Sequence, residues 1–171
     1  MEEFNEAMFK TKVDNVFVKL LTAVMEGDLS SVKHFISDEV YQKYQDIIDK
    51  LDGRNERQMY DELNVKNTYV ESREIVDDKE IVQVRIISRY MDYLIDKDTG
   101  NLIRGDNTRR IERDYHLTFT KKLITKDIGL VRKCPGCGAS ISVNTSGKCE
   151  YCDTIYNLED YDYVLVDINI I

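Results

Sequence analysis

The chain has 171 residues, a formal net charge of −8 and a single proline, enough for one ordinary domain with a small appendage. A 42% hydrophobic content excludes long disorder. The acidic balance disfavours a general nucleic-acid binder, and no run of about 18 apolar residues is present to span a membrane. The charge is uneven: residues 1–53 carry 6 basic and 11 acidic side chains, 54–133 carry 17 and 15, and 134–171 carry 1 and 6.

Three helices are predicted first. Phe9, Val13, Val16, Phe17, Leu20, Leu21 and Val24 recur at spacings of three and four, a broad apolar stripe that Gly27 ends. Asp28 opens a short second helix with Leu29, Val32, Phe35 and Ile36 on its apolar face. Ser37 or Asp38 caps a third, with Val40, Tyr44, Ile47, Ile48 and Leu51 on one side, and Gly53 stops it.

The period then changes to two. After a polar stretch, Arg54 to Glu62, the run Leu63, Val65, Asn67, Tyr69 alternates as a strand does. Asp77-Asp78 is a turn signal, and Ile81 to Ile95 predicts a long strand with Val82, Val84 and Ile86 on one face. Asp96 to Asn101 is a turn cluster. Thr108 to Lys122 predicts the next strand, with Ile111, Tyr115, Leu117 and Phe119 on its apolar face. Tyr161 to Ile170 predicts the last, with Val164, Val166, Ile168 and Ile170 together. Helices followed by a meander of long strands is an α+β order, with the N-terminal helices covering one face of a curved antiparallel, cone-like sheet.

Between the last two long strands lie all four cysteines of the chain: Cys134-Pro135-Gly136-Cys137, eleven residues, then Cys149-Glu150-Tyr151-Cys152. Two C-x-x-C pairs at this separation have the spacing of a structural zinc site, each pair a knuckle aiming two sulfurs at one metal. Cys134, Cys137, Cys149 and Cys152 are therefore the expected ligands of one Zn²⁺. Iron in a rubredoxin-like site would use the same ligands, and spacing does not separate the two. Four thiolates leave no open position, so the metal is structural rather than catalytic. Residues Met1 to Lys10 are acidic and carry no signal-peptide core, which argues against disulfides and for a cytoplasmic setting, or the cytoplasmic side of a membrane assembly.

The order of helix, short helix, helix and bent strands looks like the cone fold of the nuclear-transport-factor-two-like superfamily. Four phrases narrow it: Phe35-Ile36-Ser37-Asp38-Glu39-Val40-Tyr41, Leu63-Asn64-Val65, Ser88-Arg89-Tyr90-Met91-Asp92-Tyr93, and the Cys-Pro-x-Cys-Gly-Ala run at 134–139. Together they resemble bacterial proteins of the TIM-forty-four-like family, some of which carry a zinc ribbon near the C-terminus. The resemblance implies a cone domain over 1–132 and 158–171, interrupted by a zinc-ribbon insertion at 133–157. It also implies a non-catalytic adaptor that docks a protein partner or a membrane-associated complex and is linked to protein transport. Self-association, a location peripheral to the membrane, and no binding of nucleic acid complete that expectation.

Two further clusters are candidates. Tyr69, Tyr90, Asp92 and Tyr115 fall on strands expected to line the cone, as wall residues or as a pocket. In isomerases of the same superfamily such a pocket pairs a tyrosine donor with an aspartate base, so a small-ligand carrier or isomerase-like enzyme is the competing reading. Arg104, Arg109, Arg110 and Arg113 form the basic concentration, either a solvated strand face or a docking patch for anionic head groups or an acidic partner. His34 and His116 have no cysteine or serine at a spacing that suggests a nucleophilic triad.

Overall fold

A computed structural model of the chain describes residues 4–123, 131–133, 140–142 and 163–171, the two short central stretches as backbone only. All four cysteines lie outside the described residues.

Helix α1 spans Glu6–Glu26 and buries Phe9, Val13, Val16, Phe17, Leu20, Leu21, Ala23 and Val24, the predicted stripe. The Asn5 side chain caps it by accepting from the Met8 N–H. At its end Gly27 takes φ +72°, and the Gly27 and Asp28 N–H groups close back onto Val24 and Ala23. A Cβ there would sit 2.5 Å from Arg57 Nη1. That guanidinium donates to the Met25 carbonyl at 3.2 Å and lies 3.4 Å from Asp52, tying the C-terminal ends of both helices together. Helix α2 spans Asp38–Asp52, with Ser37 as its cap, accepting from the Val40 N–H at 3.2 Å.

The predicted short second helix is a single 3₁₀ turn, Lys33–Phe35. Its apolar residues Leu29, Val32, Phe35 and Ile36 are buried as expected. The span between the Asp28 turn and the extended Ile36 is too short to close an α-helical nucleus, so the tighter i→i+3 pattern wins.

The main sheet is antiparallel, in the order β1 (Glu56–Val76), β2 (Lys79–Asp96), β4 (Ile111–Lys122), β7 (Val164–Ile170). Strand β3 (Leu102–Gly105) pairs with the far end of β2 in line with β4. Strands β5 (Val131–Lys133) and β6 (Ser140–Ser142) form a separate antiparallel pair. The stretch Arg54–Glu62, read from the sequence as polar linker, is instead the start of β1. Three one-residue register shifts, between Asp61 and Asn64, Val65 and Asn67, and Val70 and Ser72, account for the 21 residues of β1 facing the 18 of β2. Each bends the strand, and Glu62 takes φ +52° at the first.

The core lies between the helices and one face of this sheet. Val82, Val84, Ile86 and Tyr90 of β2, Tyr115, Leu117 and Phe119 of β4 and Leu165 and Ile168 of β7 meet the α1 stripe there. Each such side chain removed from water contributes about 1.5–3 kcal/mol. The expected β7 face needs correction. Thr118 pairs with Asp167 while Phe119 pairs with Leu165, so Val166 is an extra residue that flips the alternation. Leu165 and Ile168 point inward, Val166 is half-buried and Ile170 is exposed.

Candidate functional site

The inner face of the sheet carries a group of tyrosines at the end where β1 begins and β2 finishes. Tyr90 of β2 and Tyr115 of β4 are buried, and their hydroxyls share a hydrogen bond of 2.6 Å. Tyr60 of β1 stands edge-on to Tyr90, ring centroids 5.1 Å apart, and Phe17 of α1 stands edge-on to Tyr115 at 4.9 Å. Tyr44 of α2 packs into the same core. Burial pushes the Tyr44, Tyr60 and Tyr115 hydroxyls well above the ordinary phenol range, and neighbouring phenols push in the same direction. These groups are neutral hydrogen-bonding phenols through the physiological range.

At the rim of this cluster stands Asp92. Its Oδ1 accepts from Gln58 Nε2 at 2.7 Å, and its Oδ2 accepts from Arg113 Nη2 at 3.2 Å. The Arg113 guanidinium also lies close enough to the Tyr90 hydroxyl to act on it electrostatically. The bonded group Gln58–Asp92–Arg113 thus stands beside the bonded pair Tyr90–Tyr115. Gly105, at φ +94°, lets β3 seat against the backbone of this end of β2, since a Cβ would lie 2.3 Å from the Asp92 carbonyl oxygen. The Asp92 and Arg113 side chains remain 35% and 37% exposed, so water reaches the pair and screens it.

The structure brings together three of the four tyrosine-cluster candidates, Tyr90, Asp92 and Tyr115. Tyr69 is separate: it pairs with Arg85 on the opposite face of the sheet and is 44% exposed. Gln58 and Tyr60 complete the cluster and were missed, because the residues around them are polar. Their signal was the alternation of Gln58 and Tyr60 ahead of the first bulge. The basic candidates are divided. Arg113 faces the tyrosines, Arg110 lies 3.8 Å from Glu62, Arg109 sits beside Asp106, and Arg104 is exposed on β3. The outer face of the sheet carries ion pairs of its own, Lys66 and Arg89 with Glu112 and Arg85 with Asp114.

The zinc candidates Cys134, Cys137, Cys149 and Cys152 lie outside the described residues. On either side of the first pair, Lys133 pairs with Ser140 and Arg132 with Ile141. No helix among the described residues is long and apolar enough to cross a membrane.

The chain matches no curated protein. Among solved structures, the crystal structure of the intermembrane space region of the chloroplast protein ARC6 is similar at 8% identity, with a TM-score of 0.45. That alignment covers 99% of this chain and 98% of that one. The family model of the Tim44-like domain matches residues 1–129, a span that takes in both helices and strands β1 to β4 and stops short of Cys134. The chain belongs to the Tim44-like family.

Proposed function

We propose that this Tim44-like domain is a non-catalytic adaptor, docking a protein partner or a membrane-associated complex linked to protein transport, and stapled by one structural Zn²⁺. The observation that carries the non-catalytic reading is the state of Asp92. Both of its oxygens are engaged, by Gln58 and by Arg113. A carboxylate held between an arginine and an amide is suited to a fixed, charged contact more than to taking a proton from a substrate. The nearby phenols are held neutral and bonded to one another, which suits a packed, polar-edged wall better than an oxyanion site. The half-exposed Asp92–Arg113 pair, with Arg104 nearby on β3, gives a partner charges to engage at that rim.

Cys134, Cys137, Cys149 and Cys152 are proposed as the zinc ligands from the chemistry of the donor set. Four thiolates in two C-x-x-C pairs match a closed tetrahedral site. The antiparallel pairing of Lys133 with Ser140 supports this, since only six residues, the first cysteine pair among them, separate those two positions in the sequence. Bound metal would hold a segment whose length is too small for a core of its own.

Native mass spectrometry of protein purified without added metal tests both readings in one spectrum. One zinc per chain and no organic mass, with the metal lost in Cys134→Ser, is the expected result. A co-purifying organic molecule of defined mass would overturn the adaptor in favour of a small-ligand carrier or an isomerase-like enzyme. A metal-free chain would remove the zinc.

A further inference from the structure

The face of the sheet turned away from the helices is open over part of its area. Arg85, Ile87 and Arg89 of β2 lie on this outer face, paired with His116, Asp114 and Glu112 of β4. Tyr69 and Asn67 of β1 join them, opposite Arg85 and Ile87. Near the Asp78 turn the face is closed, since Thr120 on the same side of β4 is buried. Farther along β2 it is open: the Lys66, Arg85, Arg89 and Glu112 side chains are 41–48% exposed, and Tyr69 is 44% exposed.

Two observations show what this area suits. The first is composition. Tyr69, Arg85, Ile87, Arg89, Met91 and Tyr93 lie together on it. Tyrosine, methionine and arginine are the side chains enriched in protein interfaces, where they bring large contact area with a polar handle. The second is charge. On the open area β2 contributes only cations, Arg85 and Arg89, and β4 only anions, Glu112 and Asp114. Lys66 reaches across from β1 to Glu112 at 2.9 Å, Arg89 lies 3.6 Å from the same carboxylate, and Arg85 pairs with Asp114. A positive row and a negative row therefore run side by side along the strands. Their pairs are wet, so each adds little to the stability of the single chain.

Such a face is complementary to itself. A two-fold axis parallel to the strands, between β2 and β4, lays β2 of one copy over β4 of the other. Arg89 and Glu112 stand opposite each other in the register, so this rotation sets Arg89 of each copy against Glu112 of the other with no slide along the strands. An axis across the strands would set cations on cations. An anionic surface, or a segment of a single charge sign, would be repelled by one of the two rows.

We propose that this outer face is a homodimer interface. Two sheets pack face to face, the arginine row of each copy lies on the carboxylate row of the other, and Tyr69, Ile87 and Met91 supply apolar contact. The Asp92 rim belongs to the inner face and stays available. The dimer needs no metal, so it stands apart from the adaptor and zinc readings above.

Sedimentation equilibrium of the full chain tests this. A monomer–dimer equilibrium is expected, weakening about tenfold when added salt cuts the Debye length from about 10 Å to about 3 Å. Arg89→Glu and Glu112→Arg, each checked for folding by circular dichroism, are each expected to be monomeric, because like charges then meet across the axis. An equimolar mixture of the two variants is expected to regain the dimer, since the two reversed rows match each other and so do the two unreversed ones. Tyr69→Ala, which changes no charge, is expected to weaken the dimer about tenfold. A wild-type chain that stays monomeric at about 100 µM overturns the proposal. So does a dimer indifferent to both reversals, or a mixture of folded variants that remains monomeric. If a reversal fails to fold, Tyr69→Ala decides, and an unchanged dissociation constant there overturns the interface.

Discussion

Strand β2 carries a carboxylate near each end of its inner face, Glu80 and Asp92, about 40 Å apart along the strand; Glu80 meets Arg73 and the Tyr163 hydroxyl, Asp92 meets Arg113 and the Gln58 amide. The two carboxylates end in different physical states. Glu80 is sealed under Tyr163 and the start of α1, with both donors at 2.6 Å. Asp92 sits at an open rim, with its arginine at 3.2 Å and both side chains about a third exposed. Removing the buried Glu80 carboxylate leaves the Tyr163 hydroxyl without its acceptor, although Arg73, 34% exposed, still reaches water. An open ion pair is worth little to stability and can exchange its partner for another. The comparison teaches that an arginine–carboxylate pair serves as a fastening where the carboxylate is buried and as an available contact where water reaches it.

The strongest test of that contrast removes each carboxylate in turn. Glu80→Ala is expected to cost about 2 kcal/mol in urea unfolding, from the hydrogen bonds of its buried acceptor, whereas Asp92→Asn is expected to cost less than about 1 kcal/mol. Equal costs would mean that exposure does not separate the two ends. Next in size is Tyr115→Phe, which leaves the buried Tyr90 hydroxyl without its 2.6 Å partner. A loss of about 1 kcal/mol in the unfolding midpoint is expected. Combining it with Tyr90→Phe is expected to cost less than the two single changes added, because both act on one bond.

A third carboxylate on this face sharpens the comparison from the other side. Asp14 of α1 accepts from the Thr68 hydroxyl of β1 and has no arginine. Burial raises its pKa, with the Thr68 bond and the more distant Lys10 acting against the shift. A carboxyl raised in the folded state stabilises the fold when protonated and opposes it when charged, so its contribution is lost as pH rises from the unfolded value through the folded one. Asp14→Asn is therefore expected to raise the melting temperature slightly at pH 7. The gain should shrink to nothing as pH falls through the raised pKa, and a gain independent of pH between 3 and 7 would contradict this account.

Most of the fold was legible because it depends on local periodicity. The stripe from Phe9 to Val24, the Gly27 stop, the Ser37 cap and the alternation of Val82, Val84 and Ile86 all appear where spacing places them. What escaped the pattern were residues whose neighbours are polar. Gln58 and Tyr60 lie in a run of charged side chains that nevertheless enters the sheet, because β2 extends far enough to pair with it. Of the candidate site, Tyr90, Asp92 and Tyr115 were readable as inward positions, while their partners Arg113 and Gln58 were assigned elsewhere or overlooked.

The sequence by itself determined the order of the long helices and long strands, the α+β class and the family resemblance that the match over 1–129 bears out. Those properties follow from residue type and spacing along the chain. Only the tertiary structure decided the bulges that bend β1 and flip β7, the exile of Tyr69 to the outer face, and the ring contacts that join Phe4 through Phe9 to Tyr163. Register and aromatic packing depend on contacts between residues up to about 160 positions apart, and no local period carries a distance of that kind.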